Sequence, residues 1–132
     1  MMRRVAALAL LALSLAACAP GEGAEPRTVT LTIRYSRFQP GHLSVAKGTT
    51  VRFVVDNRDP IAHELIVGNQ EVQDLHEKGT GHHHGAVPGE ISAPADATVE
   101  TTYTFDRPGE VLFGCHLPGH YTYGMRGTIQ VV

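Results

Sequence analysis

Residues 110–132 read Glu-Val-Leu-Phe-Gly-Cys115-His-Leu-Pro-Gly-His120-Tyr-Thr-Tyr-Gly-Met125-Arg-Gly-Thr-Ile-Gln-Val-Val. The two ends of this stretch, 110–115 and 127–132, have the apolar character of β-strands. The loop between them presents a thiol, an imidazole and a thioether spaced five residues apart. A Pro-Gly pair in the loop favours a sharp turn that points the following His back inward. The stretch therefore predicts a strand–loop–strand unit whose loop gathers three metal-binding side chains around one point.

Five segments upstream also have the character of strands. Residues 28–35, for example, alternate strictly between apolar and polar side chains, as a half-buried strand does. Turn-forming clusters at 57–60 and 106–109 separate such segments. Short strands punctuated by turns predict an all-β fold, an antiparallel Greek-key β-sandwich or barrel of about seven to eight strands. The five segments are 28–35, 43–45, 50–56, 63–67 and 98–105.

Residues 68–94 interrupt this pattern with a long, polar and Gly-rich stretch. Its first part, 70–78, can form a short helix, and three consecutive histidines follow. An insertion of this length inside a compact domain is usually either functional or disordered. We therefore expect one long His-rich loop between two strands of the sandwich.

The N-terminus has the features of an export signal. Arg3 and Arg4 precede an apolar stretch, 5–15, that is too short to cross a bilayer. The stretch ends in Ala-Ala-Cys18, which resembles the bacterial lipobox, where the signal is cut before a cysteine that becomes lipidated. The alternative is an ordinary signal peptide that is cut near Ala19 and leaves Cys18 incidental.

The lipobox interpretation defines three parts of the chain. We expect a signal peptide of the lipoprotein type at 1–17, a lipid-anchored tether at 18–27 and a single domain at 28–132. The protein would then be an exported lipoprotein, anchored to a membrane through Cys18 and facing the periplasm or the cell exterior.

Composition narrows the classes of partner. The formal net charge is only −2, so the chain offers no basic face for nucleic acid. It contains no Trp and few aromatic residues, which gives no support to a surface that stacks on sugars or bases. A monomer is the default expectation for one domain of this size.

The soft metal ligands outside the export segment are Cys115 and Met125 alone. A lone thiol in an exported protein is a liability unless something such as a metal occupies it. Two His and one Cys in a plane, with a weak axial Met, form the ligand set of a blue-copper site. Zinc is the alternative, since it also binds Cys and His, but a thioether is a poor zinc ligand. We therefore predict one type 1 copper ion held by Cys115, His120 and Met125 with a second His.

We assign the second His to His63, which heads a strand after a Pro-containing loop and would reach the same end of the sandwich. His116 follows Cys115 directly, and on an extended backbone its side chain points to the opposite side. The remaining rivals lie in an early turn or in the insertion. They are His42, His76 and the triplet of His82, His83 and His84.

The histidines of the insertion form a second candidate metal site. It comprises His76, His82, His83 and His84, which could hold another copper or zinc ion. The alternative is a solvated, mobile loop, because a His-rich tract is compositional evidence alone.

These motifs together resemble the cupredoxins, the small blue-copper proteins. The match covers nearly all of 28–132, from the early strands to the loop 115–125, which we call the ligand loop. Four residues separate Cys115 from His120, as in azurins, and four separate His120 from Met125, as in plastocyanins. The combination resembles auracyanins, and the His-rich loop resembles cupredoxin-like proteins associated with bacterial copper resistance.

The resemblance implies roles for individual residues. His63, Cys115 and His120 would be the equatorial copper ligands, and Met125 would be the axial one. Asn57 resembles an Asn that braces the site in some members. Glu64 stands where plastocyanins and azurins usually have Asn, so the hydrogen bond to the thiolate would have to come from elsewhere, for example from a backbone N–H.

The resemblance also implies function. We expect a membrane-tethered one-electron carrier whose redox partners dock near His120, on a patch that includes Leu117, Pro118 and Tyr121. The alternative is copper sequestration, delivery or tolerance, with the His-rich loop as an additional site. We do not expect an enzyme, because Gly114 precedes Cys115 and the His-Cys-His flank of multicopper oxidases is missing.

Overall fold

The computed structural model describes residues 25–79 and 87–132 of the chain. The elements in these ranges are β1 (Arg27–Ile33), β2 (Phe38–Gln39), β3 (His42–Val45), β4 (Thr49–Asn57), β5 (His63–Gly68), α1 (Gln70–Glu77), β6 (Glu90–Ala93), β7 (Thr98–Phe105), β8 (Gly109–Gly114) and β9 (Arg126–Val131). All seven predicted strands and the predicted short helix are present among them. The additional strands are β2, which is only two residues long, and β6, which lies in the polar insertion.

The described strands form two sheets that pack as a sandwich, with the orders β2-β1-β4-β7 and β3-β9-β8-β5-β6. The prediction of purely antiparallel pairing is wrong for two neighbours, because β1 pairs with β4 and β3 pairs with β9 in parallel. The chain leaves the first sheet for β3 before it returns at β4, and parallel neighbours need such a crossover. Both sheets are open within these ranges, so the barrel alternative is wrong and the sandwich is confirmed.

The core lies between the two sheets and follows the alternation of the sequence. Val29, Leu31 and Ile33 of β1 all face inward, as the sequence predicts, and the residues between them are exposed or half-buried. By contrast, β5 is buried along its whole length. It lies between β8 and β6 in the second sheet, and α1 packs against it.

Helix α1 is fixed to the second sheet by the amide of Gln73. This fully buried side chain donates to the carbonyl oxygens of Ile66, at 3.2 Å, and of Leu112, at 3.4 Å. The Asn69 side chain accepts from the backbone N–H of Val72 at 3.0 Å and so caps the first turn. In the described ranges, α1 included, we find no helix with the length and apolarity needed to cross a membrane.

Three loops meet at one end of the sandwich because of the strand register. Ile33 and Asn57 are partners in the parallel pair, so β1 and β4 end at the same level. The backbone N–H of Arg58 donates to the Ile33 carbonyl at 2.9 Å, which joins the loops that follow these two strands. Strand β5 starts at this end and β8 finishes there, which also brings the loop 115–125 to it.

Candidate metal centre

Three of the predicted ligands converge at this end of the sandwich. The Cys115 Sγ lies 3.3 Å from the Nδ1 of His120 and 4.0 Å from the Nδ1 of His63, and the two Nδ1 atoms are 3.2 Å apart. No other group of three or more His, Cys, Asp or Glu side chains in residues 25–79 and 87–132 comes together in this way. One thiol sulfur and two imidazole nitrogens fit a soft or borderline ion such as copper or zinc.

Met125 is fully buried at the end of the same loop. Its carbonyl oxygen accepts from the Cys115 N–H at 3.1 Å, and its own N–H donates to the His120 carbonyl at 2.9 Å. These two bonds close the loop on itself and place all three of its candidate ligands within one short unit. Gly124, with φ at +98°, supplies the left-handed turn that this closure requires.

A buried carboxylate that the sequence analysis did not single out contacts His63. The Asp59 Oδ2 lies 2.9 Å from the His63 Nε2 and also accepts from the Ser36 N–H at 2.8 Å. The Asp59 Oδ1 accepts from the Tyr35 N–H at 2.7 Å. Burial by itself raises the pKa of Asp59, but the bonds from Ser36, Tyr35 and His63 hold that pKa below its ordinary value.

The sequence contained only a weak signal for this contact. Asp59 lies in a turn cluster four residues before His63, which looks like ordinary turn chemistry. The N–H groups that complete its environment come from residues 35 and 36, more than twenty positions upstream. Only the parallel pairing of β1 with β4 brings them to the carboxylate.

Asn57 organises the loop that carries Asp59. Its side-chain nitrogen lies 2.9 Å from the Ile61 and Pro94 carbonyl oxygens and 3.0 Å from that of Ala93, and its Oδ1 accepts from the Asp59 N–H at 3.0 Å. The side chain is almost completely buried. Asn57 therefore ties the 58–62 loop to the end of β6, next to the start of β5.

Glu64 is buried beside the ligand loop. Its Oε1 accepts from the backbone N–H of His116 at 2.7 Å, which fixes the chain just after Cys115. Hydrogen bonds from the backbones of Leu117 and Glu64 to the Cys115 sulfur act to lower the pKa of its thiol. Backbone N–H groups therefore donate to the sulfur, which the carboxylate of Glu64 cannot do.

The protonation of the three converging side chains differs. Burial raises the pKa of the Cys115 thiol to about 11, although the backbone bonds from Leu117 and Glu64 oppose this shift. Burial lowers the pKa of His63, and its bond to Asp59 opposes that shift only in part. At neutral pH the His63 ring is thus neutral, whereas the Cys115 thiol would have to lose a proton to bind a metal.

His116 does not point toward this cluster. Its Nδ1 lies 2.8 Å from the Glu77 Oε2, its Nε2 lies 2.7 Å from the Gln73 Oε1, and its ring stacks on Tyr121 with centroids 4.5 Å apart. Burial lowers the pKa of His116, while Glu77 opposes the shift. The side chain joins α1 to the ligand loop.

Two further histidines, His42 and His76, make contacts away from this cluster. His42 is exposed on β3, with its Nδ1 2.8 Å from the Thr128 Oγ1. His76 is buried on α1, where its Nδ1 contacts the Val72 carbonyl at 2.9 Å and its Nε2 lies 3.4 Å from the Glu90 Oε2. The other proposed members of the second metal site, His82, His83 and His84, lie outside the described residues, as does the lipidation candidate Cys18.

Among the three converging side chains, only His120 approaches the surface. His63 and Cys115 are buried, whereas His120 is half-buried. Around it, Leu117 and Tyr121 are half-buried and Pro118 is exposed. Tyr123, in the same loop, is 78% exposed.

Comparison with known proteins supports both the fold and the metal. Residues 29–132 match the family described as copper binding proteins, plastocyanin/azurin family. The chain is 34% identical over 119 residues to the copper-resistant cuproprotein CopI of Rubrivivax gelatinosus, an alignment that covers 85% of this chain and 71% of that protein.

Solved structures with the same fold include two auracyanins. The auracyanin of Roseiflexus castenholzii superposes with a TM-score of 0.68 at 18% identity, covering 80% of this chain and 96% of that one. Auracyanin A of Chloroflexus aurantiacus superposes with a TM-score of 0.66 at 24% identity, covering 82% of this chain and 100% of that one. At these identities the likeness shows the cupredoxin-like fold.

Proposed function

Because this chain belongs to the plastocyanin/azurin family of copper-binding proteins, we propose that it holds one type 1 copper ion and acts as a one-electron carrier. The convergence of the Cys115 sulfur with the Nδ1 atoms of His63 and His120 carries this proposal. Met125, buried at the end of the ligand loop, would supply a thioether as the fourth ligand. Copper in such a set cycles between its two oxidation states, which is the chemistry of electron transfer.

The surroundings of the site suit electron transfer better than catalysis. His63, Cys115 and Met125 are almost completely buried, which leaves no broad opening for a substrate. Asp59, from a neighbouring loop, holds the His63 ring, and backbone hydrogen bonds fix the loop that carries Cys115, His120 and Met125, which suits a site that reorganises little when its charge changes. We therefore do not assign an enzymatic activity to this chain.

The half-buried ring of His120 is the proposed point of electron exchange. Leu117, Pro118 and Tyr121 surround it with a mainly apolar surface, on which redox partner proteins would dock. Transient redox encounters use small interfaces, and this patch is of that kind. The expected export signal and lipidated Cys18 would place this surface outside the cytoplasm, attached to a membrane.

The similarity to CopI supports a second candidate function, copper tolerance, since that relative is a copper-resistant cuproprotein. In this case the histidines of the insertion, His76 and His82 to His84, would hold additional metal. Both functions use the same primary site, and they differ in the number of ions bound.

The first experiment is an absorption and EPR spectrum of the copper-loaded protein, with Cys115→Ser as the test variant. Copper–thiolate charge transfer should give intense visible absorption that this variant lacks, and a variant that kept its colour would overturn the assignment of Cys115. Metal titration then separates the two functions. One copper per chain supports the carrier, and additional copper that is lost on deletion of residues 79–85 supports copper tolerance.

A further inference from the structure

Two consecutive residues near the metal centre have an unusual backbone conformation. Tyr35 and Ser36 have φ values of 53° and 51°, although neither is glycine. Non-glycine residues in the left-handed region are uncommon and strained, so they persist where surrounding contacts enforce them. Here the two backbone N–H groups converge on the oxygens of one carboxylate, that of Asp59.

Successive N–H groups that surround an anion form a concave site known as a nest. In most nests the anion is a ligand such as phosphate, whereas here it belongs to the protein itself. The Asp59 side chain is only 8% exposed, and its third hydrogen-bond partner is the Nε2 of His63. The strained turn therefore holds the Asp59 carboxylate against the Nε2 of His63, on the side of the ring away from Cys115 and His120.

The tautomer of His63 follows from this contact. An ionised carboxylate only accepts hydrogen bonds, so the Nε2 that faces Asp59 carries the proton. The lone pair of the neutral ring then lies on Nδ1, the atom that faces Cys115 and His120. Histidine ligands in proteins commonly have such an outer acceptor, which orients the ring and increases its basicity.

We propose that Asp59, gripped by the Tyr35–Ser36 nest, is a positioning residue that presets the Nε2–H tautomer of His63 and stabilises oxidised over reduced copper. The tautomer part concerns the chain alone, and the second part rests on the proposed copper site. The oxidised ion carries one more positive charge than the reduced ion, so a buried negative charge behind its ligand favours it. A backbone carbonyl could set the same tautomer, but it would not add the charge.

The test compares Asp59→Asn with Asp96→Asn. Asp96 lies at the same end of the sandwich but is exposed, and Asn tolerates its positive φ of 51°. We expect Asp59→Asn to shift the preference for Cu(II) over Cu(I) at least tenfold toward Cu(I), which raises the reduction potential by at least about 59 mV for one electron. Asp96→Asn should produce a much smaller shift. Equal shifts in the two variants would overturn the charge effect.

Two measurements keep the proposal testable if Asp59→Asn does not fold. Nitrogen-15 NMR of the wild-type protein without metal should show His63 protonated on Nε2 at neutral pH, and protonation on Nδ1 would contradict the assigned tautomer. Ser36→Gly keeps the N–H and removes the backbone strain, so its reduction potential should match the wild type. If wild-type NMR agrees but no copper–thiolate absorption forms, the proposed function fails and the tautomer assignment stands.

A separate observation concerns the side chains of the same turn. Arg34 and Arg37 flank Tyr35, and all three are exposed. The Arg34 guanidinium carbon lies 5.0 Å from the centroid of the Tyr35 ring, and the Arg37 guanidinium lies 3.6 Å from the position that a Cβ on Gly124 would take. The Arg37 guanidinium thus lies beside the ligand loop, and Arg34 lies three residues earlier in the same turn.

Neither cation is neutralised by a carboxylate in the part of the chain that the structure describes. Arg58, in the neighbouring loop, differs from them because it pairs with Asp56 at 2.7 Å. We infer that Arg34 and Arg37 select a redox partner with an acidic docking face, a refinement that rests on the proposed electron transfer at His120. Opposite charge at the rim of an interface mainly accelerates association and is screened by salt.

Small redox reagents of opposite charge test this inference. The reduced protein gives one electron to ferricyanide, which becomes ferrocyanide, or to tris(phenanthroline)cobalt(III), which becomes cobalt(II). At low ionic strength the Arg34→Glu/Arg37→Glu double variant should react several-fold more slowly with the anion and faster with the cation, and high salt should remove both differences. Arg107→Glu, in the turn at the far end of the sandwich, is the control.

The pattern of rates separates the outcomes. Unchanged rates, or equal slowing with both reagents, would overturn the selection of acidic partners. A wild-type protein that exchanges electrons with neither reagent would contradict the carrier function itself.

Discussion

The two halves of the candidate metal centre are built in different ways. The ligand loop, 115–125, carries Cys115, His120 and Met125 within one short segment and closes through its own backbone hydrogen bonds. The half around His63 is assembled from separate loops, with Asp59 from one and the N–H groups of residues 35 and 36 from another. The first half depends on local sequence, and the second depends on the packing of the sheets.

This difference explains what could be predicted from the sequence. Cys115, His120 and Met125 lie within one segment, so their spacing alone predicts that they converge. His63 could be assigned only from its position after a turn, because its neighbours are distant in the chain. Asp59 was missed for the same reason, since its role depends on a parallel strand pair that the alternating pattern does not reveal.

The same limit applies to the fold as a whole. Alternation in β1 predicted which of its side chains would face the core, because the period of a strand is a local property. Strand direction was predicted wrongly for β1 with β4 and for β3 with β9, because pairing is decided by crossovers between sheets. His116 illustrates both the local and the long-range case. The side to which its side chain points follows from its place next to Cys115, but the sequence does not reveal its partners Gln73 and Glu77 on α1.

The largest expected effect comes from disrupting the half of the site around His63, which depends on the packing of the sheets. Asn57→Ala removes a buried side chain that contacts three carbonyl oxygens and one backbone N–H, and it leaves those groups without this partner. We expect the free energy of unfolding to fall by about 3 kcal/mol, measured by chemical denaturation of the protein without metal. Asn69→Ala, which removes only an exposed helix cap, should cost about 1 kcal/mol. Equal losses would mean that Asn57 does not organise this half.

The second prediction concerns the protonation of His63 and Cys115, which also differs between the two halves of the site. His63 has a lowered pKa and is neutral at pH 7, whereas the Cys115 thiol, with a pKa of about 11, must release its proton on binding metal. The apparent affinity for Cu(I) should therefore rise about tenfold per pH unit between about pH 7 and pH 9, with one proton released per ion. Competition with a chelator calibrated at each pH measures the slope. A flat profile would show that the thiol is already ionised in the metal-free protein.

The smallest of the three effects tests the local packing of the ligand loop. Gly114 precedes Cys115, and a Cβ at this position would lie 2.5 Å from ring carbons of Tyr121, the residue after His120. Because that ring also stacks on His116, it cannot move freely, and we expect Gly114→Ala to lower the free energy of unfolding by about 2 kcal/mol.

Gly41→Ala is the matched control, because the nearest atom to its new Cβ would be the Phe38 carbonyl oxygen at 3.8 Å, an ordinary contact. It should change stability by less than about 0.5 kcal/mol in the same denaturation experiment. The copper spectrum of Gly114→Ala should also change, since displacing Tyr121 moves the backbone on which His120 is mounted. A destabilised variant with an unaltered spectrum would show that the ligand loop keeps its geometry independently of this contact. The backbone hydrogen bonds within the loop would then be enough to position Cys115, His120 and Met125.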